Sequence, residues 1–233
     1  GHLDIVATAT GKTVTGGRTK TIQSLEPAVV EAIYVKDGQQ VKKGDLLIKL
    51  DATTANAEYL KAKEALTANL LTKAHYDSLL VALNTGAIPA LAPVEGIDEI
   101  RRLSEESVAV AQWQAYVLKI ETQKSLIVQK EAEMTTIQQQ IRKLSNTSRM
   151  IAQQAADYKR LYEQNFMSKH AWMQKDQERI EQEGDLATQK SRLNELQAAL
   201  KSQHQEIATL TAQFKSDALD KKRQAEETIE QYE

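Results

Sequence analysis

The chain of 233 residues has no cysteine. That excludes a disulfide framework, a thiolate-ligated zinc or iron–sulfur centre and a cysteine nucleophile. Large rings are scarce: aromatics are 5% of the sequence, and phenylalanine occurs twice. Proline occurs three times and glycine nine, most of them in the first hundred residues. With few breakers and few rings, long helices are a better description than a thick globular core. The net charge of −2 gives no strong field toward nucleic acid or anionic lipid. No basic stretch is interleaved with aromatics in the way nucleic-acid binding requires. No apolar run reaches the roughly 18–20 residues of a membrane span. What is abundant is Gln, Glu, Lys, Ala and Leu, the straight-chain helix formers.

Residues 1–51 carry strand signals. "LDIVATATGKTV" and "KTIQSL" alternate polar and apolar residues and are rich in Thr, Val and Ile. "AVVEAIYVKDG" continues the pattern, with Val30, Ile33 and Val35 as inward candidates. Gly38 and Gly44 mark turns, where glycine supplies a positive φ. Leu46, Ile48 and Leu50 share one face of the last strand.

After Asp51 the pattern becomes helical. Asp51 or Thr53 is placed to cap a first helix over 52–84, with Leu66, Leu70, Leu80 and Leu83 as its apolar stripe. Residues 85–103, with two prolines and two glycines, read as a linker. A second helix is expected from Ser104, capped by "SEES". Trp113, Ile120, Ile127, Met134 and Ile141 fall seven apart, and Ile137, Leu144, Ile151 and Tyr158 form a row offset by three. Two such rows are a coiled-coil seam. "NFMSKHAW" interrupts it. A third helix starts near Ser168–His170, with Leu186, Leu193, Leu200, Ile207 and Phe214 again seven apart and Leu196 and Leu210 beside them. So short a break between two heptad helices reverses the chain. Residues 104–233 are therefore expected to form an antiparallel hairpin with its tip near 164–169. The first helix either extends one leg or packs as a third helix. Gly184 lies inside the third pattern and costs about 1 kcal/mol against alanine.

Chemistry finds no foothold. His2, His75, His170 and His204 are scattered, and no H-E-x-x-H occurs. Paired carboxylates such as Glu105–Glu106 and Glu226–Glu227 sit on helices that need solvent-facing charge. There is no G-x-S-x-G, P-loop or dinucleotide fingerprint. The reading is of a non-enzyme with no catalytic residue, metal or cofactor. Trp113 and Trp172 are expected to pack in the seam or tip rather than to hold a ligand. The chain opens on "GHLDIVATATGK" and stops at "AEETIEQYE" within a helical pattern, which reads as a segment of a longer protein.

"AVVEAIYVKDGQQVKKGDLLIKLD" resembles the first half of a biotinyl/lipoyl-like domain, a flattened β-sandwich of two similar halves. Helices stand where the hairpin between the halves would be. The fold class expected is thus mainly α: a long antiparallel coiled-coil hairpin, three helices in all, inserted into a small, incomplete lipoyl-like β domain over 1–51. Half a sandwich exposes Val30, Ile33, Leu47 and an unpaired edge, so residues 1–51 are expected to be partly disordered or to borrow strands from a neighbouring copy.

A split lipoyl-like domain resembles the periplasmic adaptors, or membrane fusion proteins. "DIVATATGK", "GRTKTIQSLEPAVVEAIYVKDGQQVKKGDLLIKLDA", "YKRLYEQNFMSKHAW" and "LDKKRQAEETIE" are similar to the hemolysin D group of type I secretion. The resemblance implies an adaptor between an inner-membrane ABC transporter and a TolC-type outer-membrane channel, passing a secreted protein substrate. It implies self-association, commonly as hexamers whose hairpins form a tube. It places the protein in the periplasm of a Gram-negative bacterium, anchored to the inner membrane by an N-terminal segment outside this sequence. Efflux adaptors carry at the tip an Arg, a Leu four residues on and a Ser seven after that. Leu161 and Ser168 fit; Asp157 stands at the Arg position, with Arg160 the nearest base. The expected channel-docking tip is Arg160, Leu161, Asn165, Ser168 and Lys169. Turn chemistry is the alternative for Leu161, Asn165 and Ser168, and solubilising charge for Arg160 and Lys169. Two other functions remain: an adaptor of a multidrug efflux pump, and a structural coiled-coil scaffold.

Overall fold

The computed structural model describes residues 20–233. Strands β1 (Val30–Ile33) and β2 (Ile48–Leu50) are followed by helices α1 (Thr53–Thr85), α2 (Glu99–Glu163) and α3 (Lys169–Tyr232). The chain divides into two compact units. One comprises the residues up to Leu70 with Ala225–Glu233, the other Leu71–Gln224.

In the first unit β1 and β2 pair antiparallel, Val30 opposite Leu50 and Ile33 opposite Ile48, with a bulge between Val30 and Ala32. Two turns of one design lie between the strands. In each, a lysine N–H meets the side chain three residues on: Lys36 to Gln39 Oε1 at 3.0 Å and Lys42 to Asp45 Oδ2 at 2.8 Å. Gly38 and Gly44 take φ of 82° and 103° at the third position of each turn. A Cβ would meet nothing within 4 Å at either, so backbone strain, not crowding, is what selects glycine there.

Three expectations change here. "KTIQSL" forms no strand; Lys20–Leu25 is irregular, with no described strand beside it, and a bend at Leu25–Glu26 precedes Pro27. Val30 and Ile33, inward candidates by pattern but expected exposed in half a sandwich, are 48% and 64% exposed, and of the residues expected on one face of β2, Leu46 is exposed too. Leu47, expected exposed, is buried together with Leu50. The expectations for residues 1–19 lie outside the described residues. Asp51 Oδ1 accepts from the Thr53 N–H at 2.9 Å and from its hydroxyl at 2.6 Å. These bonds hold the Asp51 carboxyl below the usual carboxylate range and start α1.

The second unit holds the aromatic core. Leu71, Leu79 and Ala82 of α1 are buried with Leu91 and with Ala109 and Trp113 of α2; Tyr116 and Phe214 pack against them. The Tyr116 and Phe214 rings stack at 4.3 Å, and Trp113 tilts against both. This end of α1 therefore packs as a third helix. Its buried line runs Thr67, Leu71, His75, Ser78–Leu79 and Ala82, while the expected stripe of Leu66, Leu70, Leu80 and Leu83 is half-buried. The cause is that two helices press on α1, so the centre of its covered face lies between the leucines. Polar bonds fix the contact. His75 Nε2 lies 2.9 Å from Gln112 Oε1 and its Nδ1 2.8 Å from Glu105. Asp77 pairs with Lys73 at 2.9 Å and Lys222 at 2.6 Å.

α2 begins at Glu99, five residues before the expected start. Asp98 caps it, its side chain accepting from the Arg101 N–H at 2.7 Å, so the serines and acids of "SEES" fall inside the helix. The segment between α1 and α2 is pinned, not free. The Leu91 N–H donates to Glu106 Oε2 at 2.8 Å, and Arg102 Nη1 donates to the Leu91 carbonyl at 2.6 Å.

α2 and α3 run antiparallel. Tyr116 bonds Thr211 at 2.9 Å, Gln203 bonds Gln123, and Glu133 pairs with Arg192 at 2.9 Å, so each step along α2 is a step back along α3. Every residue of the heptad rows is buried or half-buried. α3 passes unbroken through Gly184. Among the described residues no helix is long and apolar enough to cross a membrane.

Candidate docking tip

The reversal between α2 and α3 occupies residues 164–168. Helix ends leave carbonyls and N–H groups unpaired, and this one satisfies them locally. The Phe166 N–H donates to the Leu161 carbonyl at 2.8 Å and the Asn165 N–H to the Tyr162 carbonyl at 3.0 Å. Asn165 takes φ 64°, the left-handed conformation that closes this double-bonded C-cap and that asparagine tolerates better than most residues. Ser168 then starts α3, its Oγ accepting from the Ala171 N–H at 3.1 Å, the N-cap bond.

Below the reversal aromatic side chains tie the two legs. Tyr162 stacks on Trp172 with centroids 5.6 Å apart and planes 8° from parallel. Lys175 Nζ lies 5.6 Å from the Tyr158 ring centre. A hydrogen bond from Lys175 to Glu178 holds its ammonium above the usual lysine range.

Of the residues singled out from sequence, Arg160 and Leu161 lie in the last turn of α2, Asn165 in the reversal, Ser168 at the cap and Lys169 at the first position of α3. The structure brings Leu161 and Asn165 into one cap. Ser168 serves the other helix. Arg160 is paired with Asp157 one turn back, so the acid at the efflux-type arginine position neutralises the nearest base. Lys169 is exposed and has no partner among the described residues.

Sequence reasoning missed Phe166. It follows the left-handed residue, where an apolar side chain commonly folds back on the helix's last turn. Here it is 78% exposed, and Leu161 is 38% exposed. Met173 adds a third exposed apolar side chain on the first turns of α3. The signal was an aromatic in a chain with two phenylalanines, placed in a turn. The tip thus presents apolar groups on a rigid, doubly capped reversal. Among the described residues no three His, Asp or Glu side chains converge on a metal-sized site.

The profile of the "CyaD, alpha-helical hairpin domain" family matches residues 51–233. The chain is 36% identical over 237 residues to RTX-I toxin determinant D of Actinobacillus pleuropneumoniae, covering 99% of this chain and 49% of that protein. It is 32% identical over 240 residues to the chromosomal hemolysin secretion protein D of Escherichia coli, covering 99% and 49%. The chain therefore spans about half the length of the curated relatives it matches. Its fold is that of the soluble domain of LipC, a membrane fusion protein of a type I secretion system. That match has a TM-score of 0.68 at 17% identity and covers 88% of this chain and 78% of that one. The antiparallel pair, its capped reversal and a family profile spanning most of the sequence agree, and the chain belongs to the CyaD alpha-helical hairpin domain family.

Proposed function

We propose that this chain is the hairpin-bearing part of a periplasmic adaptor for type I protein secretion in a Gram-negative bacterium. It links an inner-membrane ABC transporter to a TolC-type outer-membrane channel, as one of several copies in a ring, with a secreted protein as cargo. The role is assembly, not catalysis. The observation that carries the reading is the α2–α3 reversal: a chain end-stop held by its own caps, with Leu161 and Phe166 exposed and Ser168 and Lys169 beside them. Such a surface suits the end of another helical assembly. Apolar side chains supply contact area and a rigid backbone lowers the ordering cost of binding. The names of the relatives as secretion proteins support the same reading.

The test is secretion by cells whose full-length protein carries Leu161→Glu or Phe166→Asp. Both side chains are exposed enough that helix content and melting temperature should stay as they are. Export should fall at least tenfold. Normal export from a normally folded, normally expressed variant would remove the tip from the mechanism.

A further inference from the structure

Among the described residues His75 is the only titratable side chain that the fold buries, at 4% exposed. It lies on α1 one turn from Leu71 on one side and from Leu79 on the other, both members of the aromatic core. An apolar residue would fill that place without needing partners. Instead both ring nitrogens face oxygens of α2. Nε2 lies 2.9 Å from Gln112 Oε1 in hydrogen-bond geometry. Nδ1 lies 2.8 Å from Glu105 Oε1, at ion-pair distance but without the alignment of a hydrogen bond. A neutral imidazole has one N–H and one bare lone pair. With the proton on Nε2, the Nδ1 lone pair stands against a carboxylate oxygen. With the proton on Nδ1, the Nε2 lone pair stands against the Gln112 oxygen. The imidazolium, with an N–H on each nitrogen, suits two oxygens, and a buried cation is tolerated where it is paired.

We propose that His75, Glu105 and Gln112 form a proton-operated clasp that fastens α1 to α2, closed while His75 carries its second proton and loosened when the proton leaves. The groups packed around the ring set the sign. From α2 comes Glu105; its neighbour Glu106 is engaged by the Leu91 N–H and by Arg102. On α1, Lys73 and Asp77 pair with each other, and Asp77 also takes Lys222 of α3. The Tyr76 ring centre is 4.7 Å from that of His75. Burial first, then the carboxylates of Glu105 and of Asp217 on α3, push the Tyr76 phenol up, so it stays uncharged beside the imidazole. The charge that touches the ring is therefore negative, and it favours the imidazolium.

The closed clasp holds a proton that the open one gives back to water, so by linkage rising pH works against closure. Histidine is the side chain that changes charge between about pH 5 and 8, and loosening is expected toward the upper end of that span. In stronger acid Glu105 takes up a proton and the ring loses its counter-charge, so closure is greatest between the two. The release is local. Leu91 remains pinned by Glu106 and Arg102, and Asp77 by Lys222, through groups that are not histidines. α1 therefore loosens about His75 without leaving α2 and α3. The inference concerns how the hairpin fastens its third helix and does not depend on the adaptor reading above.

Trp113 reports the event, because it packs in the same cluster as Leu71 and Leu79. The chain has two tryptophans, so Trp172→Phe leaves Trp113 as the only one. In the purified chain with that change, acrylamide, an uncharged quencher, should reach Trp113 about twofold more readily at about pH 8 than at about pH 6. Helix content by circular dichroism should not change. His75→Gln keeps a hydrogen-bonding group but cannot titrate, and it should flatten the response; His170→Gln and His204→Gln should leave it intact. Nitrogen NMR of the histidine-labelled parent reads the proton directly: the His75 ring should carry two N–H groups at about pH 6 and one at about pH 8. Quenching of Trp113 that ignores pH, or a response that survives His75→Gln, would overturn the clasp. So would a ring with one N–H at the lower pH, which would mean that the Gln112 amide is reversed and donates to a neutral imidazole. The NMR reading uses the parent sequence, so it decides the matter even if His75→Gln misfolds.

Discussion

Replacing Ser168 by alanine separates the two roles its position allows. The hydroxyl accepts from the Ala171 N–H at 3.1 Å and is the side-chain cap of α3. Removing such a cap costs about 1 kcal/mol. If that cost falls on the first turn of α3, the Ala171 amide opens about five times more often at 25 °C. Aspartate at the same position keeps an acceptor and adds a charge favoured at a helix start by about 0.3–1 kcal/mol. Amide hydrogen exchange at Ala171 should therefore be about fivefold faster in Ser168→Ala and no faster than in the parent in Ser168→Asp. Export then reads the other role. If the hydroxyl only caps, Ser168→Asp should export normally; if it meets the channel, Ser168→Asp should fail although its helix start is better held. Unchanged exchange at Ala171 in Ser168→Ala would refute the cap as the origin of the turn's order.

Three further outcomes follow from the second unit. Trp113→Ala removes the ring that tilts against both Tyr116 and Phe214, a loss of about 3–5 kcal/mol; circular dichroism should show melting about 6–20 °C lower, and a shift under about 3 °C would place the core elsewhere. Burial works against the Asp77 charge, but Lys222 and Lys73 outweigh it and hold the carboxyl below the usual range. Its contribution to stability is therefore complete above the unfolded value of about 3.9 and is lost as pH falls through the lower folded value. The gap in urea midpoint between the parent and Asp77→Asn should be open at pH 7 and narrow progressively below about pH 4; a gap that stays constant to pH 2 would remove the ion pairs as its cause. Gly184 is helical, and a Cβ there meets nothing within 4 Å. Gly184→Ala should gain about 1 kcal/mol, seen as slower amide exchange over residues 181–188, and faster exchange would show that the glycine is needed.

The helices were readable because heptads state them twice, once on each leg, where Trp113, Ile120 and Ile127 answer Leu200, Ile207 and Phe214. Their direction was readable because the break between them is too short for anything but a reversal. The start of α2 was less readable. "DEIR" and "SEES" are both caps in composition, and the choice of Asp98 depends on Leu91 folding back onto Glu106 and Arg102, a contact no periodicity announces. The covered face of α1 was displaced by the same kind of effect, since its partners lie beyond a loop. At the tip, Asn165 and Ser168 were legible as cap residues because capping is local chemistry. Phe166 was not, because nothing in the order of residues says whether an aromatic in a turn folds inward or stands out.

Packing along the hairpin is uneven, and this explains why the tip relies on local bonds. At the three-helix end Leu79, Trp113 and Phe214 fill the space. Toward the reversal the seam thins. Beyond Ile137, α2 buries only Ser148 and Ala155, and α3 buries nothing between Lys169 and Glu195. Gln182 and Gln189 bring side-chain oxygens into the seam that find no partner among the described residues. Small and polar residues remove little apolar area from water, and each buried methylene counts for about 0.8 kcal/mol, so this half is held weakly by its seam. The devices that order the tip are of another kind: a double-bonded cap at Asn165, a hydroxyl cap at Ser168, and the Tyr162–Trp172 stack. Each acts within a few residues and needs no deep core. A hairpin built this way sets the shape of its end by local bonds, and that shape does not depend on the seam beneath it.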